Sequence, residues 1–149
     1  MRQKELYLRA GNENDVDLLF RWANDKEVRQ NAFHTEMISY ADHLKWFKTH
    51  IESDDEIFYI LMESDEAVGQ ARLSVCKDEA GIDYSIVAGK RGQGYGSELL
   101  RLMIEKIREE HPEIKRLTAK VKPENTASAR CFAGGGFSET YRQYELELE

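Results

Sequence analysis

A short run of glycines, Arg91-Gly92-Gln93-Gly94-Tyr95-Gly96-Ser97, contains the residues best suited to binding a ligand. It follows the apolar stretch Ile86-Val87-Ala88 and precedes residues with helical spacing, which predicts a turn leading from a strand into a helix. Glycine lets the backbone adopt positive φ and approach a ligand closely, and a helix N-terminus presents free N–H groups with partial positive charge. The run therefore predicts a phosphate-binding loop.

Two common phosphate-binding loops do not match this run. A Walker A loop needs a lysine before its Ser or Thr, but Gly96 precedes Ser97 here. A dinucleotide fingerprint needs Gly-x-Gly-x-x-Gly, but the last position is Ser97 when counted from Gly92 and Leu99 when counted from Gly94. The pattern that does match residues 91–96 is Arg/Gln-x-x-Gly-x-Gly/Ala.

This loop pattern, with the later segments 121–130 and Gly136-Phe137, resembles the GNAT superfamily of N-acetyltransferases. The resemblance implies that the loop wraps the pyrophosphate of acetyl-CoA and that a splay between two strands admits this cosubstrate. Asn125 is equally suited to capping a helix and to contacting the ligand, and the two roles are compatible. The residues implied to contact acetyl-CoA are Ile86, Val87, Ala88, Arg91, Gly92, Gln93, Gly94, Tyr95, Gly96, Ser97, Asn125, Ser128 and Phe132.

The acceptor is indicated by the first part of the chain. Residues 21–29, with Phe33, Glu36, His43 and Trp46-Phe47, are similar to GNAT enzymes that acetylate nucleotide-linked amino sugars, and more loosely to the branch that acetylates ribosomal proteins. We therefore expect acetyl transfer to a primary amine of a small molecule, with a nucleotide-linked amino sugar favoured and a protein N-terminus as the alternative. A non-catalytic acyl-CoA-binding module is the rival from another functional class.

Amide formation from a thioester requires a neutral amine, a polarised carbonyl and protonation of the departing thiolate. The family often places a tyrosine seven residues after the Asn, but this chain has Phe132, which has no proton to donate. Tyr84, Tyr141 or water could supply the proton, or the thiolate could leave unassisted. This departure is the reason for keeping the non-catalytic alternative.

Three side chains are candidates for the base that deprotonates the amine. Glu36 and His34 lie in the early segment that covers the acceptor in the family, and Asp83 lies on the strand that lines the cleft. A carboxylate or a neutral imidazole can accept a proton near neutral pH, but exposed residues of both types are common on surfaces that have no catalytic role. All three remain candidates from the sequence.

Hydrophobic periodicity predicts the elements that position these residues. The predicted order is β-α-α-β-β-β-α-β-α-β, an α+β fold whose central mixed sheet has helices on both faces. Residues 24–38 show no regular period and are expected to be irregular. The predicted strands cover 5–9, 57–62, 67–76, 82–88, 116–121 and 137–148, and the predicted helices cover about 16–23, 40–51, 97–111 and 126–133.

Composition limits the class of protein. The 149 residues predict a single domain over 1–149, and 41% hydrophobic with 33% charged residues is typical of a soluble globular protein. A net charge of -7 argues against nucleic acid or an anionic membrane as partner. Cys76 and Cys131 match neither a disulfide framework nor a zinc site, and His43 and His50 lack a third ligand. We expect no metal and a cytoplasmic location, and the sequence is compatible with a homodimer.

Overall fold

The computed structural model describes residues 5–148 as a five-stranded sheet with helices on both faces. Residues 1–4 and 149 of the predicted domain lie outside the described part. The strands are β1 (Leu6–Ala10), β2 (Glu56–Glu63), β3 (Glu66–Cys76), β4 (Glu79–Ile86) and β5 (Arg116–Thr118). The helices are α1 (Val16–Ala23), α2 (Lys26–Asn31), α3 (Tyr40–Ile51), α4 (Tyr95–Glu110) and α5 (Thr126–Gly134), with 3-10 turns at Glu13–Asp15 and Ala88–Lys90.

The strands lie in sequence order across the sheet. Strands β1 to β4 are antiparallel to their neighbours, whereas β5 runs parallel to β4. The sheet is therefore mixed, and the predicted α+β class is confirmed. The parallel pairing covers only Glu79–Gly81 of β4.

Alternation along β2 creates two apolar cores, one on each face of the sheet. Tyr59 and Leu61 face the core under α4 and α5, while Phe58 and Ile60 face the core under α1 and α3. Other buried residues of the first core are Leu8, Val68, Ala71, Leu73, Ala80, Leu99, Leu100, Met103, Ile107 and Phe132, and those of the second are Leu19, Phe47 and Met62.

Side-chain caps set the start of α3 and of the 3-10 turn that leads into α1. Ser39 Oγ accepts a hydrogen bond from Asp42 N (3.1 Å), so α3 begins at Tyr40 as predicted. Asn12 and Asp15 form a capping box, and the buried Asp15 carboxylate also binds the Arg9 guanidinium at 2.8 and 2.9 Å. Burial opposes ionisation of Asp15, but Arg9 and the Asn12 amide outweigh it and lower the pKa of this carboxyl.

Two sequence predictions are wrong. Residues 26–31 form α2 within the stretch expected to be irregular, and Arg29 holds this region by donating from Nε to Ala23 O (2.6 Å) and from Nη1 to His34 O (2.9 Å). The closing strand predicted over 137–148 does not form, because no neighbouring strand pairs with this segment in the described chain. Its alternating pattern is genuine, but a strand also needs a partner edge.

Candidate functional site

The second half of β4 presents an open backbone edge. Val87 N donates to Val68 O (2.9 Å), so alternate residues along β4, including Tyr84 and Ile86, direct their backbone groups away from β3. The described β5 pairs with β4 only as far as Gly81. Since backbone N–H and C=O groups need partners, this splay is suited to binding an extended amide-containing ligand.

The glycine loop follows this edge and leads into α4. Gly92 and Gly94 have φ values of 74° and 88°, a conformation that favours glycine, and a Cβ at either position would meet nothing within 4 Å. Gly94 is the N-cap of α4, and no side chain caps this helix. The first N–H groups of α4 are therefore not bound by a side-chain cap and are suited to binding an anionic group.

A buried carboxylate anchors both ends of the loop. Glu63, at the end of β2, accepts a hydrogen bond from Lys90 Nζ (3.0 Å) before the loop and another from the Tyr95 hydroxyl after it. The hydrogen bond to Glu63 raises the pKa of Lys90, so Lys90 stays charged. Glu63 therefore fixes the loop through the side chains of Lys90 and Tyr95. Its signal in the sequence is an ionisable residue directly after the apolar run Ile57–Met62.

Gly96 allows α4 to approach α5 and β4 closely. A Cβ on Gly96 would lie 3.2 Å from Cys131 Sγ and 3.6 Å from the Tyr84 ring. At this contact the Tyr84 hydroxyl lies 3.0 Å from Ser128 Oγ, and burial raises the pKa of Tyr84 to about 12. A neutral hydroxyl is thus held at the junction of the open β4 edge with α4 and α5.

Asn125 and Phe132 hold this junction from α5. Asn125 is the N-cap of α5, and its Oδ1 accepts from Ser128 N (3.2 Å), so the predicted capping role is confirmed. The Phe132 ring packs edge-on against the rings of Tyr84 (5.6 Å between centroids) and Phe137 (5.0 Å). Phe132 is 8% exposed and belongs to the first core. Tyr84 therefore provides a hydroxyl beside the position where the family often has one.

Arg91 connects the loop to α2. Its guanidinium lies 3.1 Å from both Asp25 oxygens and 2.7 Å from Glu27 Oε2, and its Nε donates to Ile86 O (2.9 Å). The side chain thus points toward the α2 side of the loop. The Asp25 contact joins residues 66 apart in the chain, so sequence reasoning missed it.

A pocket lies between these elements, on the side of β4 opposite α4. Its lining includes Trp22, Asp25, Val28, Ser85 and Ile86. Trp22 and Val28 supply apolar walls, while Asp25 and Ser85 supply polar groups, a mixture typical of small-molecule sites. Because Ile86 belongs to both the pocket and the open β4 edge, the pocket adjoins the place where an extended ligand would end.

The three candidate bases lie in different surroundings. Asp83 is exposed on the same face of β4 as Ser85, and Gln70 Nε2 lies 3.4 Å from Asp83 Oδ2 and 3.2 Å from Ser85 Oγ. His34 and Glu36 are exposed on the segment after α2, with their carbonyl groups bound to Arg29. Only Asp83 shares a strand and a face with a pocket residue.

The two histidines of α3 have structural partners. His43 is buried with Nε2 2.9 Å from Val16 O, and burial lowers its pKa. His50 Nδ1 lies 2.8 Å from Glu56 Oε1. The described residues contain no cluster of three or more potential metal ligands. None of the helices described is long and apolar enough to cross a membrane.

Comparisons with known proteins agree with this geometry. The acetyltransferase (GNAT) domain family matches residues 5–138, whereas no curated protein matches the sequence. A domain from Methanocaldococcus jannaschii superposes with a TM-score of 0.83 at 19% identity over 96% of this chain and 94% of the other. The aminoglycoside acetyltransferase AAC(6')-Ib with coenzyme A and kanamycin gives 0.79 at 23% identity over 91% and 86%.

A third similar structure is the spermidine N-acetyltransferase of Vibrio cholerae with CoA and spermine. It has a TM-score of 0.82 at 17% identity over 91% of this chain and 82% of the other. These likenesses show the fold, and the family match covers nearly all of the described residues. The chain therefore belongs to the GNAT family of N-acetyltransferases, and its cosubstrate is acetyl-CoA.

Proposed function

We propose that the protein transfers the acetyl group of acetyl-CoA directly to the primary amine of a small molecule, with a nucleotide-linked amino sugar as the first candidate. The open β4 edge carries this proposal, because it has the glycine loop on one side and a small mixed pocket on the other. This arrangement lets two ligands meet at Ile86. A single domain over 1–149 and a cytoplasmic location also stay predictions.

Acetyl-CoA fits the first of these sites. The N–H groups of residues 92–97 would bind the pyrophosphate, since the positive-φ glycines leave space and α4 starts without a side-chain cap. The outward-facing backbone groups of Tyr84 and the Ile86 N–H would pair with the amides of the pantetheine arm, whereas Ile86 O already accepts a hydrogen bond from Arg91 Nε (2.9 Å). When bound, acetyl-CoA supplies an activated acyl group on a thiol leaving group.

The acceptor amine would occupy the pocket between α1–α2 and β4. Trp22 and Val28 would exclude water from one side, and Ser85 would orient polar groups of the acceptor. Asp83 is our first candidate for the base because its carboxylate lies on the same face of the same strand as Ser85. Glu36 and His34 stay candidates from the covering segment.

The departing sulfur would receive its proton from Tyr84. Phe132 has no proton to give, but the Tyr84 hydroxyl lies in the same cluster of rings and its pKa of about 12 keeps it protonated at neutral pH. If Ser128 Oγ donates to Tyr84, the phenolic proton is free to point to the ligand. Ser128 would then be a positioning residue, itself held by Asn125.

A cationic polyamine or aminoglycoside is a second candidate acceptor. The specific observation is that Asp25, which lines the pocket, already binds the guanidinium of Arg91, so this carboxylate could also recognise an ammonium group. AAC(6')-Ib with kanamycin and the spermidine N-acetyltransferase with spermine share the fold. A nucleotide-linked sugar is anionic and would be recognised by different groups, so charge separates the two candidates.

Release of free CoA thiol with a panel of amines tests the proposal. The panel contains a nucleotide-linked 4-amino sugar, spermine, kanamycin and a peptide with a free N-terminus, and acetylated products are identified by mass spectrometry. Preference for the amino sugar supports the first candidate, and preference for spermine or kanamycin supports the second. Preference for the peptide indicates a protein N-terminal acetyltransferase. CoA binding without turnover of any amine would contradict the proposal and favour a binding module.

A further inference from the structure

Arg91 lies where the proposed acetyl-CoA site meets the proposed acceptor pocket. In the chain it directly precedes Gly92, the first residue of the loop whose N–H groups are suited to a diphosphate. Its side chain turns the other way, since Nε donates to Ile86 O (2.9 Å). Arg91 also lines the pocket together with Asp25 and Val28. This one residue therefore belongs to both sites.

The guanidinium of Arg91 is already bound by the protein itself. Its Nη2 lies 3.1 Å from each Asp25 oxygen, its Nη1 lies 2.7 Å from Glu27 Oε2, and its Nε is bound to the carbonyl of β4. Each of the three nitrogens thus has a partner. Two carboxylates around one guanidinium leave these groups with a net negative charge, which disfavours a diphosphate beside them. To bind the pyrophosphate, the side chain would have to leave both carboxylates.

Helix α2 begins at a residue that does not cap it. Asp25 is the N-cap, a position where aspartate commonly accepts hydrogen bonds from the helix, but its side chain makes no such bond. Its two oxygens bind Arg91 instead, and so does Glu27 in the first turn. With six residues, α2 is too short to be stable alone. Arg91 therefore takes the place of the missing cap and fixes the start of the helix.

The other end of α2 is held by a second cation. Lys122 lies in the segment that follows β5, and its Nζ donates to Gln30 O (3.1 Å). The same Nζ lies 6.0 Å from the centroid of the Phe33 ring, just beyond the helix. Helix α2 is thus tethered at both ends, and Val28 between the tethers forms a wall of the pocket. Of the two tethers, Arg91 is the one that adjoins the glycine loop.

We infer that Arg91 is a positioning residue that couples occupancy of the glycine loop to the shape of the acceptor pocket, and that its side chain is not a ligand of the pyrophosphate. A diphosphate on the loop holds Gly92, and the pantetheine arm on β4 holds Ile86, so acetyl-CoA fixes the backbone on both sides of the guanidinium. The guanidinium in turn fixes Asp25 and the Val28 wall. The inference rests on the proposed function, because it takes this pocket as the acceptor site.

Fluorescence of Trp22 reports the state of the pocket without any acceptor. Trp22 lines the pocket, and Trp46→Phe leaves it as the only tryptophan of the chain. In this background CoA is expected to change the Trp22 emission, and Arg91→Gln should lose that change while calorimetry still detects CoA binding. Lys26→Gln is the matched control, because it also removes one positive charge, from an exposed position on α2, and should keep the change.

Two further variants keep the test independent of a folding defect. Asp25→Asn breaks the same ion pair from the other side, so it should also lose the CoA-induced change in emission. Arg91→Lys keeps the charge and should retain part of the change, because an ammonium group can pair with a carboxylate but lacks the planar fork of arginine. With the acceptor identified by the amine panel, Arg91→Gln should raise the KM for that acceptor about tenfold, with a smaller effect on kcat.

CoA affinity separates a positioning role from a direct contact with phosphate. Loss of a charged hydrogen bond to the ligand would weaken CoA binding about tenfold or more, and such a loss in Arg91→Gln relative to Lys26→Gln would overturn the inference. Tighter CoA binding by Asp25→Asn, no Trp22 response to CoA in the parent, or a full response in Arg91→Gln would overturn it as well. A protein that gives the expected Trp22 results but acetylates none of the amines would contradict the proposed function and support the coupling by Arg91.

Discussion

Replacing Tyr84 by phenylalanine is expected to slow acetyl transfer far more than it destabilises the fold. The change removes one hydroxyl, whose partner Ser128 Oγ lies 3.0 Å away and whose loss costs about 0.5–1.5 kcal/mol of unfolding free energy. Proton transfer to a leaving group contributes about 10²–10⁴ in rate. The turnover number should therefore fall by that factor, while the melting temperature shifts by a few degrees at most.

Moving the hydroxyl to the neighbouring ring provides the critical test. The Phe132 ring centroid lies 5.6 Å from that of Tyr84, so Phe132→Tyr places a hydroxyl in the same cluster. In the double variant Tyr84→Phe with Phe132→Tyr, we expect turnover to recover by at least about tenfold over the single variant. Phe132→Tyr alone should remain folded, with turnover unchanged or higher.

The assay measures kcat, KM and the solvent isotope effect on kcat, with CoA affinity determined by calorimetry. Loss of the proton donor should lower kcat and change the isotope effect while the affinity for CoA stays constant. Ser128→Ala is the positioning control and should lower kcat less than Tyr84→Phe. The reasoning is refuted if Tyr84→Phe retains the parent's kcat, or if its slower turnover is matched by an equal loss of CoA binding.

Three further predictions address the loop, the fold and the acceptor side. Gly94→Asp should weaken CoA binding at least about thirtyfold in calorimetry. A residue with a Cβ is strained at the positive φ of position 94, and its carboxylate would repel the diphosphate; each effect costs about 1–2 kcal/mol. Gly89→Asp is the control and should bind CoA far better, because position 89 has open space and no positive φ. Asp15→Asn should lower the unfolding free energy in urea by about 1–3 kcal/mol, since it leaves Arg9 without its carboxylate. Because the pKa of Asp15 is lowered in the folded protein, its contribution to the unfolding free energy is present above the unfolded pKa and is lost as pH falls through the folded pKa. The difference in unfolding free energy between the parent and Asp15→Asn should therefore become smaller in acid. Glu36→Gln should lower turnover without changing CoA affinity, and an equal loss of both would contradict a role on the acceptor side.

The donor loop and the main helices could be predicted because their signals are local. Positive φ at Gly92 and Gly94 is a property of single residues, and the cap at Ser39 acts within one helical turn. Pro112 likewise follows soon after the end of α4 at Glu110. In each case, residues close together in the chain decide the backbone conformation.

The regions that were mispredicted depend on partners distant in the chain. Helix α2 has only six residues, too few to be stable alone, and contacts from outside it hold Asp25 and Glu27. The segment 137–148 has the alternation of a strand, but alternation does not provide the neighbouring edge that a strand requires. Periodicity describes one chain segment, whereas pairing is a property of two.

The sequence by itself determined the class of fold, the order of most elements and the loop suited to a diphosphate, because glycine, proline and capping residues act on the backbone within a few positions. Tertiary structure alone decided that Arg91 meets Asp25 across 66 residues and that Tyr84 meets Ser128 across 44. The physical reason is that a side-chain hydrogen bond depends on two positions being brought within about 3 Å, which only the packing of α2 and α5 against β4 and its loop achieves.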